Sequence, residues 1–171
     1  MDGFGYKCAK CPQILFAYPI HHLCLPMFQA MKVTVLENQY CSIYIDMELN
    51  LYEQYWHSAS SDMEEEDYKE IHLKVRDHLV SHAYPLRGFF LDNRLNFFVI
   101  SPELQAWHAE NVSAKLEAAL LNARELKVAI VVSEDFISQL SIEQTMEENA
   151  TSGEVSRYFQ DEYEAKEWLL S

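Results

Sequence analysis

Residues 86–120 read LRGFFLDNRLNFFVISPELQAWHAENVSAKLEAAL, and this stretch decides the fold. Gly88-Phe89-Phe90-Leu91 is a short apolar run, the pattern of a strand covered on both faces. Asp92-Asn93 closes it with turn chemistry. Ser101-Pro102-Glu103 then opens a helix. The serine can cap free N–H groups, proline suits the first helical position, and the acid suits the positive end of the dipole. Leu104, Trp107, Val112, Leu116 and Ala119 follow at three- to five-residue steps, so one face of that helix looks inward.

The same strand-then-helix step repeats outward from this unit. Downstream, LKVAIVV (126–132) is the clearest buried strand, and Ser133-Glu134-Asp135 starts a helix. Phe136, Ile137, Leu140, Ile142 and Met146 give that helix a broken apolar face. Ser152-Gly153 is a turn and Val155-Ser156-Arg157-Tyr158-Phe159 a last strand. Asp161-Glu162-Tyr163-Glu164 reads as a capping box, with Tyr163, Trp168 and Leu169 docking the final helix. Upstream, residues 32–36 and 40–47 alternate and suggest a hairpin. Residues 51–60 read as a polar, aromatic connection anchored by Tyr52, Tyr55 and Trp56. Ser61-Asp62-Met63-Glu64 reads as a capping box, and Tyr68, Ile71, Val75 and Leu79 form the inward stripe of a helix ended by Pro85. The expected order is β-β-α-β-α-β-α-β-α. That is an α/β domain with a mainly parallel sheet, right-handed crossovers and an antiparallel N-terminal edge hairpin.

The chain has 171 residues, with 13 Lys+Arg against 27 Asp+Glu and a net charge of −14. That charge opposes binding to nucleic acid and to anionic membrane surfaces. The longest apolar runs are too short to span a bilayer, and the first residues lack the pattern of a secretory signal. Four cysteines without an export signal are expected to stay reduced, which points to the cytoplasm. Residues 1–30 stand apart: they hold three of the four cysteines, three of the five prolines and only one acid. They read as an irregular extension that need not be native, with Met31 a candidate natural start of the 31–171 domain.

Catalytic and cofactor motifs are absent: there is no GxxxxGK[ST], complete GxGxxG, GxSxG or HExxH. Cys8-x2-Cys11 is followed by His21, His22 and Cys24, but lacks the matching second pair of a zinc site. His78 and His82 lie one turn apart without a third ligand. No metal, no cofactor and no enzymatic activity are expected. Cys41, inside a strand, reads as a small core residue rather than a nucleophile.

The order of elements and four motifs resemble the STAS/SpoIIAA-like superfamily, closest to its small stand-alone bacterial members. The motifs are Phe89-Phe90-Leu91-Asp92, then Phe98-Val99-Ile100-Ser101-Pro102-Glu103-Leu104-Gln105, then Val128-Ala129-Ile130-Val131-Val132. Arg157-Tyr158-Phe159 with Glu162, Glu164-Ala165 and Trp168-Leu169 completes the set. The resemblance covers residues 31–171 and implies a non-catalytic regulatory or protein-interaction domain. It makes Ser101 the counterpart of the serine phosphorylated in anti-sigma-factor antagonists. Those proteins carry Asp-Ser-Ser-Gly after the strand, whereas Asp92-Asn93-Arg94 here leads into a longer loop. Other relatives of the fold resemble lipid carriers, which implies a small molecule or lipid in an apolar pocket at the C-terminal rim of the sheet.

Ligands and partners of parallel sheets gather where strands exit. The expected site is therefore the rim of Asp92, Asn93, Ser101 and Ser133, with Phe97 and Phe98 in an unusually apolar loop. A protein partner is expected, with a small apolar ligand as the alternative, on a monomer or homodimer. Deleting residues 1–30 should leave the melting temperature almost unchanged. A drop of many degrees would show that this stretch packs on the core.

Overall fold

Alternating aromatic and β-branched residues build β1 (Lys32–Glu37), β2 (Cys41–Asp46), β3 (Leu51–Trp56), β4 (Gly88–Asp92), β5 (Lys127–Val131) and β6 (Val155–Phe159). The computed structural model describes residues 31–120, 123–149 and 155–171. The 1–30 extension and its Cys8-Cys11 motif lie outside those residues. One sheet takes the six strands in sequence order, β1-β2-β3-β4-β5-β6. Strands β1 to β3 pair antiparallel in turn, and β3 to β6 run parallel. The fold is thus α/β with a mixed sheet, and it holds one strand more than expected.

That strand is β3, in the stretch read as a connection. Asp46 makes the turn before it, its Oδ1 accepting from the N–H groups of Glu48 and Leu49, both at 2.9 Å. Asn50 completes the reversal with a positive φ of 56°. The strand escapes sequence reading because Glu53 and Gln54 look solvated yet are buried. Tyr52 donates its hydroxyl to Gln54 Oε1 at 2.7 Å. Glu53 lies between two lysines: Lys32 Nζ is 2.5 Å from Oε2, and Lys166 Nζ is 2.9 Å from Oε1. The second contact is ionic and off the line of a good hydrogen bond, since Oε1 accepts none.

The helices are α1 (Glu65–His82), α2 (Pro102–His108), α3 (Ala114–Ala119), α4 (Phe136–Asn149) and α5 (Glu162–Leu170). Helix α1 starts later than expected, and Glu64 with Asp67 forms its capping box. Its buried residues are the expected Tyr68, Ile71, Val75 and Leu79. Ala83, left-handed at φ 47°, ends it before Pro85. Ser101 caps α2 as expected, its hydroxyl accepting from Leu104 N–H at 3.3 Å. Between α2 and α3 the chain makes a π turn over Ala109–Ser113. The five-residue step from Trp107 to Val112 is the trace of this turn in the sequence. Val112 is buried, whereas Ala119 is exposed.

Two further corrections concern helix faces. On α4 the buried residues are Ser138, Ser141, Ile142 and Thr145, while Phe136, Ile137 and Leu140 face outward. Ser141 and Thr145 can lie inward because Ser141 donates to Ser138 O (2.8 Å) and Thr145 to Ser141 O (2.7 Å). On α5 the buried residues are Ala165 and Leu169; Tyr163 is exposed. Trp168 is half-buried, with the Lys127 and Arg157 cations over its ring at 5.1 and 5.3 Å. Asp161 caps α5, its Oδ1 accepting from the N–H groups of Tyr163 and Glu164.

Side chains alternate across the sheet and feed two cores. Ile43, Ile45, Tyr52, Trp56, Val128 and Ile130 pack with α1, α2 and α4 on one face. Leu51, Phe90, Ala129 and Val131 pack with Ala165 and Leu169 of α5 on the other. A Cβ on Gly88 would sit 2.7 Å from the backbone Lys127 O of β5 and 2.9 Å from Leu169 Cδ2 of α5. Gly88→Ala should therefore destabilise the fold by about 1–3 kcal/mol, the usual range for overpacking. Urea midpoints measure this, and an unchanged midpoint would mean that β5 and α5 both yield to the added methyl.

Candidate functional site

The expected rim residues do not form one constellation. Asp92 turns to the α5 face, where Arg94 pairs with both its oxygens and reaches Glu162 Oε2 at 3.2 Å. Asn93 turns to the opposite face. Its backbone N–H donates to Val131 O at 3.0 Å, and its Oδ1 accepts from Asn96 Nδ2 at 3.3 Å. Ser133 donates its hydroxyl to Asn96 O at 2.8 Å. Ser101 stands elsewhere, its hydroxyl 3.4 Å from Glu65 Oε1.

Buried Asn96, which sequence reasoning passed over, joins Asn93 and Ser133. Its Oδ1 also accepts from Phe98 N–H at 3.2 Å. Ser60 holds the same loop, donating to Leu95 O at 3.0 Å and accepting from Phe97 N–H at 2.9 Å. So braced, the loop leaves Phe97 and Phe98 half-buried, and it exposes Leu95 and Val99 instead. Phe98 stacks on Tyr68 with centroids 5.5 Å apart.

Beside this brace lies a cavity of about 210 Å³ between the sheet and the α1–α4 layer. Tyr52, Trp56, Phe89, Leu91 and Val128 form its floor. Its walls come from α1 (Tyr68, His72, Val75), the α2–π–α3 segment (His108, Val112, Leu116) and α4 (Ile142, Met146). Asn93 is the one expected site residue in its lining. The cavity is not sealed: Leu116, Glu117, Leu120 and Ala123 in its lining are partly exposed. A well-packed interior has few voids larger than a water molecule. A dry void of this size would cost up to about 5 kcal/mol at the measured rate per unit of cavity volume. No single sequence motif marks the cavity, because its lining is gathered from residues between 52 and 146.

Two imidazoles meet in the wall. His72 and His108 lie 4.9 Å apart, edge to face. His72 Nδ1 is 2.8 Å from Tyr68 O, so it carries the proton and leaves Nε2 as the acceptor. Burial, then the neighbouring His108, lowers the His72 pKa from 6.5 to about 3, against the opposing effect of the Tyr68 carbonyl. His72 is only half-buried by accessible area although protein encloses it, as expected for a ring that lines a cavity.

Other reactive side chains are occupied. Burial pushes the Cys41 thiol up to about 12. Burial alone would lower the Lys166 pKa, but the Tyr55 hydroxyl and the Glu162 and Glu53 carboxylates beside it outweigh that and raise it. His78 and His82 stack at 4.2 Å, and among the described residues no group of three or more His, Cys, Asp or Glu could hold a metal. Among the same residues, no helix is long and apolar enough to cross a membrane.

No family model, characterised protein or solved structure matches this chain.

The His72 geometry has a consequence for stability. Its pKa is depressed on folding, so the unfolded state binds the proton first. The stabilisation is complete above the unfolded value near 6.5 and is lost as pH falls from there towards 3. The slope should approach, and not exceed, about 1.4 kcal/mol per pH unit for one proton. Urea titrations should show this slope in the wild type and a flatter profile in His72→Phe. Equal slopes would mean that His72 titrates alike in both states.

Proposed function

We propose that this chain is a non-catalytic, cytoplasmic binding domain of the STAS/SpoIIAA-like kind, whose occupant is a small, mostly apolar molecule held between the sheet and the helical layer. The cavity carries this reading. At about 210 Å³ it exceeds the engineered apolar cavity of about 150 Å³ that takes up benzene. The site thus lies inside the fold beneath α2 and α3 rather than on the outer rim. A non-catalytic role is supported by the state of the candidate nucleophiles. Cys41 is held protonated, and Ser133 and Ser101 spend their hydroxyls on the loop brace and the helix cap.

A regulatory role through a protein partner is the second reading. It is favoured by Phe136, Ile137 and Leu140, which α4 presents outward together. Ser101 is half-exposed and within reach of a kinase, but a phosphate there would lie beside Glu65.

Naphthalene should raise the melting temperature saturably, as a ligand specific for the folded state must; at one hundred times its dissociation constant this amounts to about 2.7 kcal/mol. Val112→Phe, which fills the cavity from the π turn, should abolish the shift while the protein stays folded. Mass spectrometry of the denatured wild type should also release a small apolar compound. No extracted compound and no shift with naphthalene would sink the cavity reading and leave the partner reading.

A further inference from the structure

We propose that His72 is the hydrogen-bonding anchor of this cavity, accepting at Nε2 the proton of an uncharged aromatic ligand bearing a hydroxyl or ring N–H, the phenol and indole class. The proposal rests on the cavity being a ligand site, and it adds what the site selects.

Three observations converge on it. First, rings line the cavity on several sides. Tyr52 and Phe89 pack at 5.1 Å on the floor, and Trp56 and His108 stand 6.2 and 4.9 Å from His72. Tilted and edge-to-face surfaces of this sort favour a flat aromatic guest over a flexible chain.

Second, the hydrogen-bonding capacity is directional. Nδ1 of His72 is turned back to its own helix by the Tyr68 carbonyl, so the far edge of the ring, with Nε2, points away from α1. Nε2 makes no hydrogen bond among the described residues. Two nearby acceptors are already taken: Gln54 Oε1 accepts the Tyr52 hydroxyl, and Asn93 Oδ1 accepts from Asn96 Nδ2. A guest that brings one donor therefore completes the wall.

Third, charge selects against ions. Among the described lining residues, Glu117 alone carries a formal charge and none is a lysine or arginine. Burial holds His72 neutral at physiological pH, so it cannot neutralise a carboxylate. An anion entering the site would lose its hydration without a countercharge among these residues.

The π turn gives the wall its shape. Leu104, His108, Val112 and Leu116 follow at four-residue steps, and on a regular α-helix each step overshoots a full turn by about 40°. The wider turn over Ala109–Ser113 takes back part of that drift, so His108, Val112 and Leu116 share the cavity wall.

The test is a matched series, naphthalene, 2-naphthol and 2-naphthoate, titrated calorimetrically into the full chain at pH 7. The wild type should bind 2-naphthol roughly tenfold more tightly than naphthalene, the preference one buried hydrogen bond can supply. It should bind 2-naphthoate more weakly than both. In His72→Phe the preference should vanish while naphthalene still binds. Nitrogen-15 NMR of the wild-type imidazoles gives a readout independent of that variant: 2-naphthol should shift His72 Nε2, and naphthalene should not. Equal affinities for naphthol and naphthalene, tight binding of naphthoate, or a preference that survives His72→Phe would overturn the anchor and leave the cavity reading standing. Failure of naphthalene itself to bind would remove the cavity reading and the anchor with it.

Discussion

The run of parallel strands added side by side in sequence order constrains everything else in this fold. The parallel strands β3 to β6 are added in one direction, without reversal. A right-handed connection taken repeatedly in one direction places every crossover helix on one face. Helices α1, α2–α3 and α4 therefore crowd one side, and the other side is left to α5. The crossover layer must cover a broad sheet, and its middle helix is broken by a π turn. The cavity lies under that break, where the layer fails to fill the space above Phe89 and Val128.

The other face shows how a thin cover is managed. Helix α5 reaches β4 and β5, made close by Gly88, but the antiparallel strands need other protection. There Glu53 is buried between Lys32 and Lys166, and Lys166 in turn meets Tyr55 and Glu162. A paired buried carboxylate adds little net stability, but removing one partner of such a pair typically costs about 3–5 kcal/mol. The network thus ties β1 and β3 to α5. It extends through Glu162 to Arg94 and Asp92, which explains why Asp92 turns away from the cavity.

Elements whose cause is local were legible in the sequence. Gly88 to Leu91 as a strand, Ser101 as a cap and the Tyr68-Ile71-Val75-Leu79 stripe each follow from a few neighbouring residues. The misread elements depend on distant partners. Strand β3 carries Glu53 and Gln54, whose burial makes sense only once Lys32, Lys166 and Tyr52 are beside them. Its flanking turn residues, Asp46 and Asn50, were the available signal. Helix α4 buries Ser141 and Thr145, whose hydroxyls are satisfied on its own carbonyls, which apolar periodicity cannot show. Of the candidate site, only Asn93 was legible; His72, His108 and the aromatic floor converge from separate elements. The step from Trp107 to Val112 did mark the π turn that shapes their wall.

On the binding reading, the space under α2 and α3 accepts a guest. Xenon tests it most directly, since it enters apolar cavities without chemical preference and scatters X-rays strongly. A crystal held under xenon pressure should show a peak bounded by Phe89, Val112, Leu116 and Val128, with those side chains scarcely moved. Absence of that peak while xenon occupies other sites, or side chains collapsed into the space, would contradict the account.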